Sequence, residues 1–188
     1  MVNSPALRLS ATLESWPIAG RFAISRGAKT QAEVVVVELF TAGARGRGEC
    51  VPYARYGETP QAVLAAIEAL REALAGGLDR HALQKALPAG AARNALDCAF
   101  WDLEARRSGK PVHELAGLPV PRPLVTAYTI SIGRPDDMYA AARKAAGRPL
   151  LKVKLGADDD AARIAAVRAA APAAELIADA NEGWTQDN

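Results

Sequence analysis

Apolar and polar residues alternate along the first part of the chain, which is the pattern of strands with one buried face. This alternation predicts a strand over Leu7–Leu13, and a run of β-branched valines predicts a second over Glu33–Phe40. Glycines from Gly43 onward mark the turn before a third strand, Gly48–Val51. We therefore predict antiparallel strands in residues 7–51.

The apolar spacing then changes to a helical period. Thr59 followed by Pro60 is typical of a helix start, Asp79 can cap a second helix, and Gly109 ends a third. The predicted helices cover residues 60–75, 80–88 and 91–107. In the third helix, the residues predicted to be buried are Leu96, Ala99, Phe100 and Leu103.

Prolines at 119, 121 and 123 mark a boundary, after which strands and helices alternate. The predicted order is strand Leu124–Ile132, helix Pro135–Ala146, strand Leu150–Leu155, helix Asp158–Ala171 and strand Glu175–Asn181. Such alternation indicates parallel βαβ units. We predict two domains, residues 1–118 and 119–188. Because an eight-stranded β/α barrel needs about 250 residues, the barrel that begins in the second domain is predicted to be incomplete, and the chain to be a piece of a longer one.

The composition argues against several kinds of partner. The 188 residues are 50% hydrophobic with a formal net charge of +2, so nothing suggests a nucleic-acid partner. No apolar run approaches the roughly 20 residues that span a bilayer, and we expect no membrane association. Cys50 and Cys98 lie in different contexts without metal-ligand spacing, which predicts reduced thiols and a cytoplasmic protein.

Lys152 and Lys154 carry the strongest chemical signal. Side chains alternate along a strand, so both amines point to one face, roughly 6–7 Å apart along it. A structural strand would avoid two cations aimed at a shared space. Since a neighbouring cation lowers the pKa of a lysine, as acid/base work near neutral pH requires, Lys154 is the candidate acid/base. The alternative is that both lysines are solvated charges on an exposed strand edge.

Asp179 ends the next predicted strand and precedes Asn181. Active sites of β/α barrels lie at the C-terminal strand ends, so Asp179 is expected beside the lysines. Its carboxylate is a hard oxygen ligand that suits Mg²⁺, although further ligands must come from elsewhere. The alternative is that Asp179 caps a helix opening near Thr185.

Four motifs in this order resemble the enolase superfamily, in its muconate-lactonizing/mandelate-racemase branch. They are Gly48–Glu58, Ala95–Leu103 with Gly109–Pro111 and Leu115–Gly117, Lys152–Lys154, and Asp179–Trp184. The stretches Phe22–Gly27, Pro52–Glu58, Pro88–Asp97 and Thr126–Thr129 are similar to its dipeptide epimerases. The resemblance covers essentially the whole chain. It implies an α+β capping domain over residues 1–118, followed over 119–188 by the first βα units of a TIM-like barrel.

The resemblance also implies an activity: Mg²⁺-dependent epimerisation of murein-derived dipeptides of the L-Ala-D/L-Glu type, by 1,1-proton transfer through an enolate. Lys154 would move the proton on one face, and Lys152 would contact the substrate carboxylate. Thr129 would contact the substrate, and Arg26 its distal carboxylate. Asp179 would be the first Mg²⁺ ligand.

The sequence departs from this family by lacking the later barrel strands. Those strands should carry the opposing lysine and two more acidic ligands, so we expect the 188-residue chain alone to be inactive. Two alternatives stay open: another superfamily enzyme, such as a muconate cycloisomerase or o-succinylbenzoate synthase, and a non-catalytic module completed by another polypeptide. Homo-oligomerisation also stays open.

Overall fold

The structure is a computed structural model that describes residues 6–24, 27–156 and 158–186. The chain divides into two compact units. The first comprises Met1–Trp16 and Gln31–Pro121, and the second comprises Pro17–Thr30 and Arg122–Asn188. The second unit therefore includes residues 17–30, which the sequence analysis assigned to the first domain. The division into domains at residues 118 and 119 stays a prediction.

The N-terminal strands form a three-stranded sheet in the order β1 (Arg8–Ile24), β2 (Gly27–Thr41) and β3 (Ala44–Cys50). Strands β2 and β3 are antiparallel, with Val35 opposite Cys50 and Thr41 opposite Ala44. The three predicted strands are confirmed, and all three are longer than the sequence pattern indicated. The prediction that the glycines after Gly43 belong to the turn is wrong, because Gly46 and Gly48 lie within β3.

Five α-helices and a short 3₁₀ turn follow in the first unit. They are the turn Ala54–Tyr56, α1 (Pro60–Glu68), α2 (Arg71–Ala75), α3 (Arg80–Ala86), α4 (Ala91–Ser108) and α5 (Val112–Leu115). The predicted caps are confirmed, because Thr59 Oγ1 accepts from the Ala62 amide at 3.1 Å and Asp79 Oδ1 from the Ala82 amide at 2.8 Å.

The prediction of one helix over residues 60–75 is wrong. Leu70 leaves the helical conformation, with ψ of 2°, and a new helix begins at Arg71. The Arg71 guanidinium donates to the Leu9 carbonyl oxygen at 2.6 Å and pairs with Glu68. The break therefore places a tertiary hydrogen bond where the local pattern indicated an uninterrupted helix.

Helix α4 packs closely on β3, and the predicted buried residues Leu96, Ala99, Phe100 and Leu103 face the core. Two glycines of β3 permit this approach. A Cβ atom on Gly46 would lie 2.2 Å from the Ala99 oxygen, and one on Gly48 would lie 2.1 Å from the Ala95 oxygen. The sheet and α4 enclose the apolar core of this unit together with α1–α3.

The second unit contains the predicted alternation of strands and helices. Its elements are β4 (Tyr128–Ile130), α6 (Pro135–Lys144), β5 (Leu150–Lys154), α7 (Asp160–Ala170) and β6 (Glu175–Asp179). The strands form a parallel sheet in the order β4, β5, β6. This is how a β/α barrel begins, and it confirms the predicted fold class.

Several predicted boundaries in this unit were wrong, including the ends of α6 and β5, which lie at Lys144 and Lys154 and not at Ala146 and Leu155. Strand β4 is limited to the residues that pair with β5, and Leu124 before it is 88% exposed. Helix α7 begins two residues late because Asp159 has a φ of 65°. Strand β6 stops at Asp179 because Asn181 and Glu182 adopt positive φ in a turn.

The two faces of the parallel sheet differ in chemistry. One face packs against α6 and α7, and its core includes Ile130, Met138, Ala142, Leu151, Val153, Leu155 and Val167. Side chains alternate along a strand, so Lys152 and Lys154 lie on the opposite face of β5. Among the described residues, no helix is both long and apolar enough to cross a membrane.

Candidate active site

Lys152 and Lys154 meet Asp179 at the C-terminal ends of β5 and β6. The parallel register places Lys154 opposite Asp179. Each lysine Nζ lies 2.8 Å from Asp179 Oδ2. The prediction that the two lysines share one face and meet Asp179 is therefore confirmed.

The burial of the two lysines is unequal. Lys154 is buried, with 6% of its surface exposed, whereas the Lys152 side chain is 36% exposed. The alternative that both are solvated charges on a strand edge is therefore wrong for Lys154. A buried ammonium needs a partner, and the Asp179 carboxylate supplies it.

Asp179 is fixed by donors on both of its oxygens. Oδ2 accepts from the two lysines, and Oδ1 accepts from the Asn181 amide at 2.9 Å. These hydrogen bonds, from Lys152 first, then Lys154 and Asn181, hold the pKa of the Asp179 carboxyl well below its usual range. A helix opening near Thr185 would extend past the described residues, so the alternative that Asp179 caps it stays a prediction.

Of two further predicted site residues, the structure describes only one. Thr129 lies on β4 opposite Lys152, so it occupies the same face one strand away. Arg26 lies outside the described residues. The roles of both residues in binding substrate stay predictions.

Phe22 is a neighbour of Lys154 to which the sequence analysis gave no role. Its ring centroid lies 5.9 Å from Lys154 Nζ, at the outer limit of a cation–π contact. The adjacent Ala23 carbonyl oxygen accepts from the Ile132 amide at 3.2 Å, and the Ala23 amide donates to Ser131 Oγ at 3.4 Å. These bonds hold this part of β1 against the end of β4. Phe22 belongs to one of the stretches that resemble dipeptide epimerases, but the residues around it give no signal that its ring lies near Lys154.

The described residues supply only one acidic ligand at this point. The Asp179 carboxylate has the hard oxygens that Mg²⁺ prefers, and it is ionised and held in place. No group of three or more histidine, cysteine, aspartate or glutamate side chains within the described residues could hold a metal ion. The described residues therefore do not form a complete metal site.

The arrangement suits proton transfer at carbon next to a carboxylate. Lys154 presents a buried amine whose charge is balanced by Asp179 and which is shielded from bulk water. Lys152 is accessible and has the charge needed to pair with a substrate carboxylate. An amine in a dry site beside a fixed cation can stabilise charge that develops during a reaction.

Comparison with known proteins places this site in a family. Residues 7–117 match the family described as "Mandelate racemase / muconate lactonizing enzyme, N-terminal domain". The chain is 50% identical over 173 residues to the L-Ala-D/L-Glu epimerase of Escherichia coli (strain K12), covering 91% of this chain and 54% of that protein.

Solved structures agree. An enolase family member from Agrobacterium tumefaciens with homology to dipeptide epimerases, solved with bound sodium and L-Ala-L-Glu, is 54% identical with a TM-score of 0.92, covering 97% of this chain and 56% of that one. A dipeptide epimerase from Cytophaga hutchinsonii, solved with Mg and the dipeptide D-Ala-L-Val, is 28% identical with a TM-score of 0.85, covering 97% and 53%.

The chain spans about half the length of the curated relatives it matches. The part that it shares with them contains the predicted capping domain and the strands that carry Lys152, Lys154 and Asp179. The chain therefore belongs to the mandelate racemase/muconate lactonizing enzyme family of the enolase superfamily and corresponds to the N-terminal half of its dipeptide epimerases.

Proposed function

We propose that a protein containing this chain epimerises dipeptides of the L-Ala-D/L-Glu type by 1,1-proton transfer, with Lys154 as the acid/base on one face. The observation that carries the proposal is the pairing of buried Lys154 with Asp179, at 2.8 Å, beside the accessible Lys152. The 50% identity to an L-Ala-D/L-Glu epimerase supports this substrate class.

The reaction removes the α-proton of the second residue and returns it from the other face. That proton is very weakly acidic because its removal places a second negative charge beside a carboxylate. Lys154 takes or returns the proton, and Lys152 binds the carboxylate oxygens on which charge accumulates. Such contacts accelerate the reaction only if they are stronger in the transition state than in the ground state.

Further contacts would define the substrate. Thr129, level with Lys152 on the neighbouring strand, contacts the dipeptide in this proposal. Arg26 contacts the distal carboxylate of the glutamate side chain. A second lysine on the opposite face would complete the two-base reaction and would come from a later barrel strand.

We also propose that Mg²⁺ takes part, with Asp179 as one ligand. The Mg in the structure of the Cytophaga hutchinsonii epimerase supports this proposal. When bound, Mg²⁺ adds positive charge at the substrate carboxylate. The other ligands would come from outside the described residues. We also propose a cytoplasmic location, because the thiols of Cys50 and Cys98 are free. The identity to the Escherichia coli epimerase supports murein peptides as the source of the substrate.

The proposal is tested by exchange of the α-proton of L-Ala-L-Glu in D₂O, followed by NMR with and without Mg²⁺. The protein used must carry this chain together with the remaining barrel strands. We expect Mg²⁺-dependent exchange with conversion to L-Ala-D-Glu. Lys154→Ala should abolish exchange from one configuration, whereas Lys144→Ala, which removes an exposed lysine of α6, should leave it unchanged.

Three outcomes contradict the proposal in different ways. Exchange that survives in Lys154→Ala would remove Lys154 from the reaction. If a folded protein binds Mg²⁺ but does not exchange the α-proton of this dipeptide, the substrate assignment is wrong. The substrates of muconate cycloisomerase and o-succinylbenzoate synthase would then be tested. A folded protein that binds neither Mg²⁺ nor any of these substrates would favour a non-catalytic module.

A further inference from the structure

A single carboxylate oxygen joins the loops that follow β5 and β6. Asp160, the first residue of α7, accepts at Oδ2 from the Gly156 amide and from the Trp184 indole Nε1, each at 2.8 Å. Gly156 lies two residues after Lys154, and Trp184 lies in the segment after Asp179. The ends of the two strands that carry the candidate site are therefore tied to one side chain.

Arg163, one turn further along α7, extends this connection to β4. Its Nε donates to the carbonyl oxygen of Gly133, in the loop after β4, at 2.8 Å. Its Nη1 donates to the carbonyl oxygen of Asp158 and lies 3.2 Å from Asp160 Oδ1. The side chains of Arg163 and Asp160 are 14% and 17% exposed, so the ion pair is largely shielded from solvent.

The loops after β5 and β6 are also in direct contact. A Cβ atom on Gly156 would lie 2.2 Å from the Ala180 oxygen, and one on Gly183 would lie 2.5 Å from the Gly156 oxygen. Between Ala180 and Gly183 lies Asn181, whose amide donates to Asp179 Oδ1. A shift of this loop would therefore move a donor that fixes the Asp179 carboxylate.

The position of Asp160 at the start of a helix does not account for these bonds. An acidic residue in the first turn is favoured by the helix dipole, and Asp160 has that benefit. Its Oδ2, however, accepts from two loops outside α7. The preceding Asp159 is the N-cap residue and makes no capping hydrogen bond with its side chain.

We propose that Asp160 and Arg163 are positioning residues that hold Lys154 and Asp179 in the geometry needed for proton transfer. This inference rests on the proposed function, since it assigns the reaction to those two residues. Residues that orient catalytic groups without touching substrate commonly change activity by about 10–100-fold when they are removed.

The test compares three variants in the dipeptide exchange assay, in a protein with the complete barrel. Asp160→Ala removes both loop hydrogen bonds and should lower kcat by about 10–100-fold with little change in KM. Asp160→Asn keeps an oxygen acceptor for Gly156 and Trp184 and should recover most of that loss. Asp159→Asn is the matched control, with the same charge change in the same turn, and should behave as wild type.

A second measurement does not depend on activity. Hydrogen exchange of the Asn181 amide, which donates to Asp179 Oδ1, should be faster in Asp160→Ala and unchanged in Asp159→Asn. If Asp160→Ala does not fold, Trp184→Phe replaces it in this measurement. Trp184→Phe keeps an aromatic ring but removes the indole donor to Asp160, and it should speed hydrogen exchange of the Asn181 amide by a smaller factor.

The outcomes separate this inference from the proposed function. The positioning role would be overturned if, in Asp160→Ala, hydrogen exchange becomes faster at the Gly156 amide and the Trp184 indole while hydrogen exchange at the Asn181 amide and kcat stay unchanged. Wild-type protein that leaves the dipeptide unchanged would overturn the proposed function, while Asn181 exchange would still show whether Asp160 fixes the donor to Asp179. Equal losses of kcat in Asp160→Ala and Asp159→Asn would assign the effect to charge in the turn and also contradict the proposal.

Discussion

At the residue scale, Asp179 holds the candidate site together. Two ammonium groups that share one face repel each other. The Asp179 carboxylate accepts a hydrogen bond from both, and the turn at Asn181 holds its other oxygen. The Asp179 carboxylate, whose pKa is held well below its usual range, therefore supplies the partner that the buried Lys154 side chain needs.

Asp79 provides a residue-scale prediction in the first unit. Its carboxylate accepts from the Ala82 amide and caps α3, and this hydrogen bond lowers the pKa of the Asp79 carboxyl. The stabilisation is present above the ordinary aspartate pKa of about 4 and is lost as the pH falls through the lower folded value. Asp79→Ala should therefore lower the melting temperature near neutral pH, and its difference from wild type should shrink in strong acid.

Thermal melts followed by circular dichroism check this prediction. Asp79→Asn is the control, since it keeps an oxygen acceptor without a titrating group and should retain most of the stability at both pH values. A difference between wild type and Asp79→Ala that is equally large in strong acid would show that the ionised cap is not the cause.

At the element scale, the first unit depends on the close packing of α4 on β3. This approach is possible because positions 46 and 48 of the strand have no side chain. The second unit has a different arrangement, in which α6 and α7 cover one face of the sheet and the two lysines lie on the other, together with Ile177. The placement of Lys152 and Lys154 on that open face follows from strand periodicity alone.

Gly48→Ala is predicted to destabilise the first unit. The new methyl group would lie 2.1 Å from the Ala95 oxygen and 2.6 Å from the Ala99 nitrogen, so strand and helix must separate. Overpacking of this kind costs typically about 1–3 kcal/mol. The free energy of unfolding in a denaturant titration measures the effect.

Gly147→Ala is the matched control, because a Cβ atom on Gly147 would meet nothing within 4 Å. Its free energy of unfolding should stay within about 0.5 kcal/mol of the wild-type value. If Gly48→Ala were equally harmless, the close packing of β3 and α4 would not contribute to stability.

At the scale of the whole molecule, the open face of the parallel sheet would form half of the site for the proposed reaction. It presents two lysines and one carboxylate, and Ile177 on the same face is 42% exposed. The proposed reaction needs a second base on the opposite side of the substrate and more than one acidic metal ligand. The chain spans about half the length of its relatives.

We therefore predict that the 188-residue chain by itself does not exchange the α-proton of L-Ala-L-Glu, with or without Mg²⁺. NMR in D₂O at high protein concentration measures this, with the longer protein as the positive control. Exchange by the isolated 188-residue chain that is lost in Lys154→Ala would contradict the prediction and show that the residues of this chain suffice to remove the proton on one face.

Local sequence predicted an element well where the signal was a helix-capping residue or a hydrophobic periodicity. It predicted an element less well where its bounds depend on contacts with residues distant in the sequence. Thr59 and Asp79 were identified as caps because the chemistry lies within three residues. The break at Leu70 and the short β4 were missed because Arg71 bonds to the distant Leu9 carbonyl and β4 pairs only where β5 is opposite.

The sequence by itself determined which residues of the site could act together. Period-two spacing places Lys152 and Lys154 on one face, and parallel βα units place Asp179 at the same edge. Only the tertiary structure decided the 2.8 Å contacts to Asp179, the ring of Phe22 near Lys154 and the bonds from Asp160 to two loops. These contacts join residues far apart in the chain, so they depend on strand register and loop packing, which no local pattern encodes.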